Sequence, residues 1–345
     1  SALPYTNRLP KAVEYDATSH ALECRVCGKR YDPDIRGMKS AINCCHDLDD
    51  VDTADIPICD LNVKLKPEER AVSDWDDQHL MFLQAVYNAQ QLRYDPLEYD
   101  LLYDSMIRLQ EYLDIDSDAV TDLVEAKLLK HDTDRPHRLY SVTPSGRSLI
   151  GEHYRKGVDY GHGKGDLDET SQHVLAVEVS RQYLVTHYVE NDESPVVDVV
   201  PYFELDERES TVVSASSAMG GDSEELVEDV SEYDRHRIDV VGLDEDGRIV
   251  VTLEAERVNH DLRRAVPEDF DKMAACDPDE AIWITMSHSE AHRVLGALND
   301  PLEGKARVEK TYAESTPADQ FRIDTKGCTG MFTVGQVLDM LEEVK

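Results

Sequence analysis

Three carboxylates in HRIDVVGLDEDGRIVVTLEAERVNHD, residues 236–261, stand where a strand hairpin would gather them. Asp239 falls on the first strand, Glu254 and Glu256 on the second. Side chains alternate along a strand with a period of two, so Glu254 and Glu256 share a face. Together with Asp239 they can offer oxygen ligands to Mg²⁺ or Mn²⁺. Such an ion polarises a phosphoryl oxygen and lowers the pKa of a bound water. The bland reading of the same residues is a solvated acidic face.

A second cluster is made of thiols. Five of the seven cysteines fall between Cys24 and Cys59, which argues for metal and against a disulfide framework. ECRVCGKRYD places Cys24 and Cys27 in C-x-x-C spacing, followed by Gly28 for the turn. NCCHD offers Cys44, Cys45 and His46, with Cys59 as a reserve. Four soft ligands around a structural zinc would staple a segment too small to bury its own core. Adjacent Cys44 and Cys45 point different ways in regular structure, so the completing ligands stay open, as does the reading as unliganded cysteines. Residues 1–65 form this zinc-knuckle region.

The elements that position these groups must fold in a chain carrying 72 acidic against 36 basic residues, a net charge of −36 over 345 residues. Concentrated salt cancels most of that self-repulsion, since the Debye length is only about 3 Å at 1 M. The composition resembles that of proteins from a salt-accumulating haloarchaeon or its virus or plasmid. The start, SALPYTNRLPKAVEYD, has no apolar signal-peptide core, and no run of apolar residues is long enough to span a membrane. The expected setting is the cytoplasm, or a particle assembled there.

Residues 77–158 read as three helices, a strand pair and a further helix. The first, from Asp77 to Tyr94, carries Leu80, Leu83, Val86 and Tyr87 at helical spacing. The second includes Leu101, Leu102, Met106, Leu109 and Leu113. The third runs from Asp116 to Lys130, capped by Ser117. The strand HRLYSV follows, then a helix opened by Thr143 with Pro144 at its first position. This order resembles the winged helix-turn-helix of archaeal regulators and of phage or plasmid proteins. The resemblance implies DNA as a partner, but the third helix bears Asp116, Asp118, Asp122 and Glu125. Phosphate contacts would therefore fall to the wing and its surroundings: Arg135, His137, Arg138 and Arg147, with Arg155 and Lys156 nearby. Protein docking or self-association is the competing role.

Residues 159–345 alternate strand and helix after the hairpin, as an α/β domain does, with an acidic loop at 210–234. TSQHVLAVEVSRQYLVTHYV reads as a long helix, VVDVVPYFEL as a strand and AVPEDFDKMAAC as a helix. AIWITM follows as a buried strand with Trp283 in the core, SEAHRVLGAL as a helix with surface histidines 288 and 292, and KARVEKTYA as a strand. FTVGQVLDMLEEV closes as a helix. From about Thr170 to Leu298 this order, with its acidic residues, resembles the PD-(D/E)xK, or restriction-endonuclease-like, superfamily. That resemblance implies Asp239 as the motif aspartate, Glu254 as the second acid and Glu178 as the acidic residue of the first helix. The motif lysine position holds Glu256. Lys272 on the following helix is the migrated substitute that the resemblance allows, with Arg257 or Arg263 weaker ones.

The fold expected is α+β and multidomain: zinc knuckle, winged helix, then a restriction-endonuclease-like domain. The function expected is DNA-associated, with metal-dependent phosphodiester hydrolysis on one side. On the other stands a non-enzymatic regulator or assembly protein using a degenerate nuclease-like domain.

Overall fold

The computed structural model describes residues 9–59, 61–152, 169–205, 237–256 and 261–344. The acidic loop 210–234, GHGKGD, Arg155, Lys156 and Arg257 lie outside them. The chain is a mixed α+β protein that divides into two compact units, Ser1–Val174 and Leu175–Lys345. No helix among the described residues is long and apolar enough to cross a membrane.

The first unit opens with antiparallel strands β1 (Val13–Asp16), β2 (Ala21–Cys24) and β3 (Arg30–Tyr31), and then helix α1 (Ile35–Asn43). Asp34 starts α1 because its carboxylate accepts the Gly37 N–H at 2.7 Å. Val13, Leu22, Met38, Ala41 and Ile42 close a small core that also takes in Cys59. The reserve cysteine is therefore a packing residue, its thiol donating to the Pro57 carbonyl.

After the short helix α2 (Pro67–Ala71) come α3 (Asp77–Gln90), α4 (Ile107–Leu113) and α5 (Ser117–Glu125). The hairpin β4 (Leu129–Thr133) and β5 (Leu139–Val142) follows, then α6 (Pro144–Leu149). Helix α3 is buried almost all round, polar residues included, and each of these finds a partner. Gln84 donates to Glu152 at 3.0 Å, Asn88 to the Leu61 carbonyl, and Gln90 accepts the Val142 N–H at 3.0 Å. Four boundaries differ from the sequence reading. Helix α3 stops at Gln90, short of Tyr94. Leu101 and Leu102 lie in turns before α4. Asp116, not Ser117, caps α5 by accepting the Ala119 N–H. And α5 ends at Glu125, because Lys127 adopts φ +58 and the chain enters β4 by Leu129. Thr143 caps α6 with Pro144 at its first position, as expected.

The second unit is built on a sheet ordered β10-β9-β8-β7-β6 among the described residues. Helix α7 (Ser171–Leu184) runs on into a π-helical turn (Val185–Val189) and precedes β6 (Asp198–Glu204), β7 (Arg237–Leu243) and β8 (Ile249–Glu256). β7 runs antiparallel to both β6 and β8. Helix α8 (Leu262–Ala275) then leads to β9 (Glu280–Thr285), which runs parallel to β8. Helix α9 (His288–Asn299) leads to β10 (Gly330–Thr333), parallel to β9, and α10 (Val334–Val344) follows directly. The DEDG turn forms as its residues dictate: Asp244 accepts the backbone N–H of Asp246 and Arg248, and Gly247 takes φ +78.

Trp283 is fully buried among α8, α9 and β10 side chains, with its indole N–H donating to the Gly327 carbonyl. KARVEKTYA is not a strand; the place beside β9 goes to Gly330–Thr333. The two histidines of α9 do more than face solvent. His288 and His292 donate to the carbonyls of Glu314 and Thr316 and pin that irregular segment.

Two glycines test this packing with opposite signs. A Cβ at Gly146 would meet the Leu128 carbonyl at 2.1 Å, whereas one at Gly296 on α9 meets nothing within 4 Å. Gly146→Ala should destabilise the chain by about 1–3 kcal/mol through overpacking. Gly296→Ala should stabilise it by roughly 0.5–1 kcal/mol through helix propensity. Denaturant unfolding of both variants measures the difference.

Candidate functional site

The carboxylate cluster of the second unit forms where two strands part. The β7–β8 ladder has its last pair at Val240–Leu253. Beyond it, Ile238 and Arg237 pair with Phe203 and Glu204 on β6, while Glu254, Ala255 and Glu256 pair with Trp283, Ile284 and Thr285 on β9. Asp239 and Glu254 are the first residues past that last pair, one on each strand. The Asp239 carboxylate accepts the Ala255 N–H at 2.9 Å, taking the place of the backbone acceptor that the parted strands lack.

Helix α8 brings the cation. Lys272 Nζ lies 2.7 Å from Glu254 Oε1 and 2.8 Å from Asp269 Oδ1. The ammonium sits off the line of a directed hydrogen bond to Glu254, so that contact is chiefly Coulombic. Asp239, Glu254 and Lys272 are 8%, 5% and 5% exposed. Burial pushes the Glu254 carboxyl well above its usual range; Lys272 opposes the shift, and Asp239 and Asp269 add to it. Burial works against the Lys272 charge too, but Glu254 and Asp269 outweigh it and hold its pKa above that of an ordinary lysine. Glu254 and Asp269 thus share one ammonium in a place poor in water, with Asp239 a further negative charge beside Glu254. Such a group takes up either a proton or a further cation.

The other residues expected here have these contacts. Glu178 on α7 is engaged by Arg181, whose Nε and terminal nitrogen reach both carboxylate oxygens at 2.6–3.1 Å. Glu256 is half-buried one repeat beyond Glu254 on the same face, and Asp239, Glu254 and Glu256 are not gathered as a ready three-ligand set. Arg263 is paired with Asp300 at 2.7 Å. Asp269 is the residue that sequence reading missed; its signal was the three-residue spacing from Lys272 on one helix face.

In the first unit the ligand atoms of Cys24, Cys27, Cys44 and Cys45 all lie within 4.8 Å of one another. The Cys27 and Cys44 sulfurs are 3.3 Å apart, those of Cys44 and Cys45 3.9 Å. A tetrahedral ion with bonds of about 2.3 Å sets sulfurs roughly 3.8 Å apart, so the group fits a metal such as zinc. Strand β2 ends in Cys24, the turn with Gly28 at φ +70 presents Cys27, and the end of α1 presents Cys44 and Cys45. Both adjacent cysteines bring their sulfurs to the group from the last turn of the helix, where Cys44 keeps helical geometry. His46 is not in the group; four thiols already complete it, and the His46 N–H extends the helical turn by donating to Ile42. Backbone N–H groups of Cys27 and Val26 point at the Cys24 sulfur and lower its pKa to about 7, which favours the thiolate a metal requires.

At the β4–β5 hairpin, Arg135 is exposed. His137 is half-buried and donates to the Leu101 carbonyl at 3.0 Å, and burial lowers its pKa. It ties the hairpin to the turn before α4 and is not presented to a phosphate. Arg138 pairs with Asp134 at 2.7 Å, and Arg147 is half-buried on α6.

No family model, curated protein or solved structure matches the chain.

Glu254 gives a pH dependence of defined sign. Its folded pKa is raised above the ordinary 4.5, so as pH rises from that value the unfolded chain releases a proton that the folded chain keeps. Stability should therefore fall with rising pH from about 4.5 up through the raised folded value. Glu254→Gln should flatten that slope in chelator. Urea unfolding of both proteins across pH checks it.

Proposed function

We propose that the chain is a DNA-associated protein whose second unit hydrolyses phosphodiesters at Asp239, Glu254 and Lys272 with the help of a divalent ion. The observation that carries this reading is the arrival of Lys272, from a separate helix, at 2.7 Å from Glu254 where β7 and β8 part. The element order also supports it: a helix, three antiparallel strands, a helix, and a strand parallel to the third. That is the order the restriction-endonuclease-like resemblance implies.

Asp239 and Glu254 would hold Mg²⁺ or Mn²⁺, which supplies Lewis-acid polarisation and a more acidic water. Asp239 is held for that task by the Ala255 N–H. Lys272 would set positive charge beside the attacked phosphate, the part that Glu256 in the motif position cannot play. Asp269 positions Lys272 from one turn away. A second reading, a non-catalytic relative used for regulation or assembly, draws on Glu256 in the lysine position and on Arg181 occupying Glu178.

The four thiols would hold a structural zinc that staples β2, its turn and α1. The helices α3 to α5 with the β4–β5 hairpin support a winged-helix reading, with Arg135 as its exposed phosphate contact. The net charge of −36 supports a salt-rich cytoplasm, or a particle assembled there, as the setting.

Incubation with supercoiled plasmid and Mn²⁺ at molar KCl should give cleavage that Glu254→Gln and Lys272→Gln each reduce by roughly 10²–10³-fold. Equal cleavage by all three proteins would remove the assignment, and binding without cleavage by the unaltered chain would favour the non-catalytic reading. Metal analysis should find zinc bound in equal amount to protein, and Cys27→Ser combined with Cys45→Ser should lose it. Zinc retained in that double variant would contradict the thiol site.

A further inference from the structure

A cleft of about 520 Å³ opens between the start of α8 and the face of α9, and three arginines line it: Arg263, Arg264 and Arg293. Asp261 and Asp300 line it too, and Glu268 and Glu303 act on Arg264 from nearby, so the cleft gathers guanidinium groups in an acidic chain without being net positive. We infer that this cleft is a binding track for the phosphodiester backbone of a nucleic-acid strand, leading to the carboxylates.

The arrangement suits that ligand in three ways. The guanidinium groups are both anchored and accessible. Arg263 is held by the Asp300 carbonyl at 2.9 Å and its carboxylate at 2.7 Å, Arg264 by Glu268 at 3.1 Å, and both side chains are still more than half exposed. Arg293 is exposed on α9. A planar fork already fixed in place loses little freedom when it takes a phosphate oxygen pair. Second, the floor is made of small residues, Gly296 and Ala297, and a Cβ at Gly296 would meet only open space. A chain can lie against α9 there without a clash. Third, α8 itself connects the cleft to the carboxylates. Eight residues separate Arg264 from Lys272, roughly 12 Å of helix rise, a span of a few nucleotides.

This inference rests on the phosphodiesterase reading for its direction but not for its test. Binding is measured by fluorescence anisotropy with labelled duplex and single-stranded oligonucleotides of mixed sequence. The titrations run over a series of KCl concentrations at which circular dichroism shows every protein folded. The Arg263→Ser, Arg264→Ser, Arg293→Ser triple variant should bind at least tenfold more weakly. The slope of log affinity against log salt should fall by about 2–3, one unit or slightly less per lost contact. Gly296→Tyr fills the cleft without altering charge and should weaken binding by a similar factor. Arginine-to-lysine replacement at the three positions should restore most of the salt slope. The titrations are run in chelator, where no cleavage takes place, so a failure of the catalytic assignment shows in the plasmid assay alone. Unchanged affinity and slope in both the triple variant and Gly296→Tyr, or no oligonucleotide binding by the unaltered chain, would overturn the track.

Discussion

The second unit depends on how one ammonium is shared between two carboxylates, with a third standing beside them. Lys272 lies within 3 Å of Glu254 and Asp269, and Asp239 stands across the parted strands from Glu254. Breaking a buried pair by removing one partner leaves an uncompensated charge, at a cost of about 3–5 kcal/mol. A purely structural role would be served as well by apolar side chains of similar volume. The raised Glu254 carboxyl keeps a proton there, and the proposed divalent ion would take that proton's place.

The sheet makes that place. Strands β7 and β8 are joined by a tight hairpin at one end and recruited by different neighbours at the other, β6 for one and β9 for the other. The gap is thus a product of topology: an antiparallel meander followed by a parallel crossover must separate its second and third strands where the third turns to meet the fourth. Asp239 fills the missing acceptor position with its side chain, so the same carboxylate that closes the backbone accounting also faces Glu254. In the first unit the thiol group solves a different problem. The core beneath β1, β2 and α1 is small, and a four-ligand ion would tie the turn after Cys24 to the end of α1.

Much of this arrangement was legible in the residues. The DEDG turn, the C-x-x-C-Gly turn, Thr143–Pro144 and the apolar run around Trp283 each carry their own local cause, and each lies where that cause puts it. Lys272 could be singled out only because an expected lysine was missing two residues after Glu254. What could not be read depended on distant parts of the chain. The end of α5 follows from Lys127 turning to positive φ so that Leu129 can begin a hairpin. The segment around Val308 has strand-like alternation but loses its place to Gly330–Thr333, whose residues pair with β9. Polar residues of α3 are buried because partners from far along the sequence, Leu61, Val142 and Glu152, come to meet them. His137 has the type of a phosphate donor, but its partner is the Leu101 carbonyl.

The most direct test of the central claim is anomalous diffraction from crystals of the protein soaked in millimolar Mn²⁺. A manganese peak between the Asp239 and Glu254 carboxylates, absent from Glu254→Gln crystals, is the result expected. Density in which Lys272 stays closed on Glu254 and no manganese enters between the two strands would contradict it.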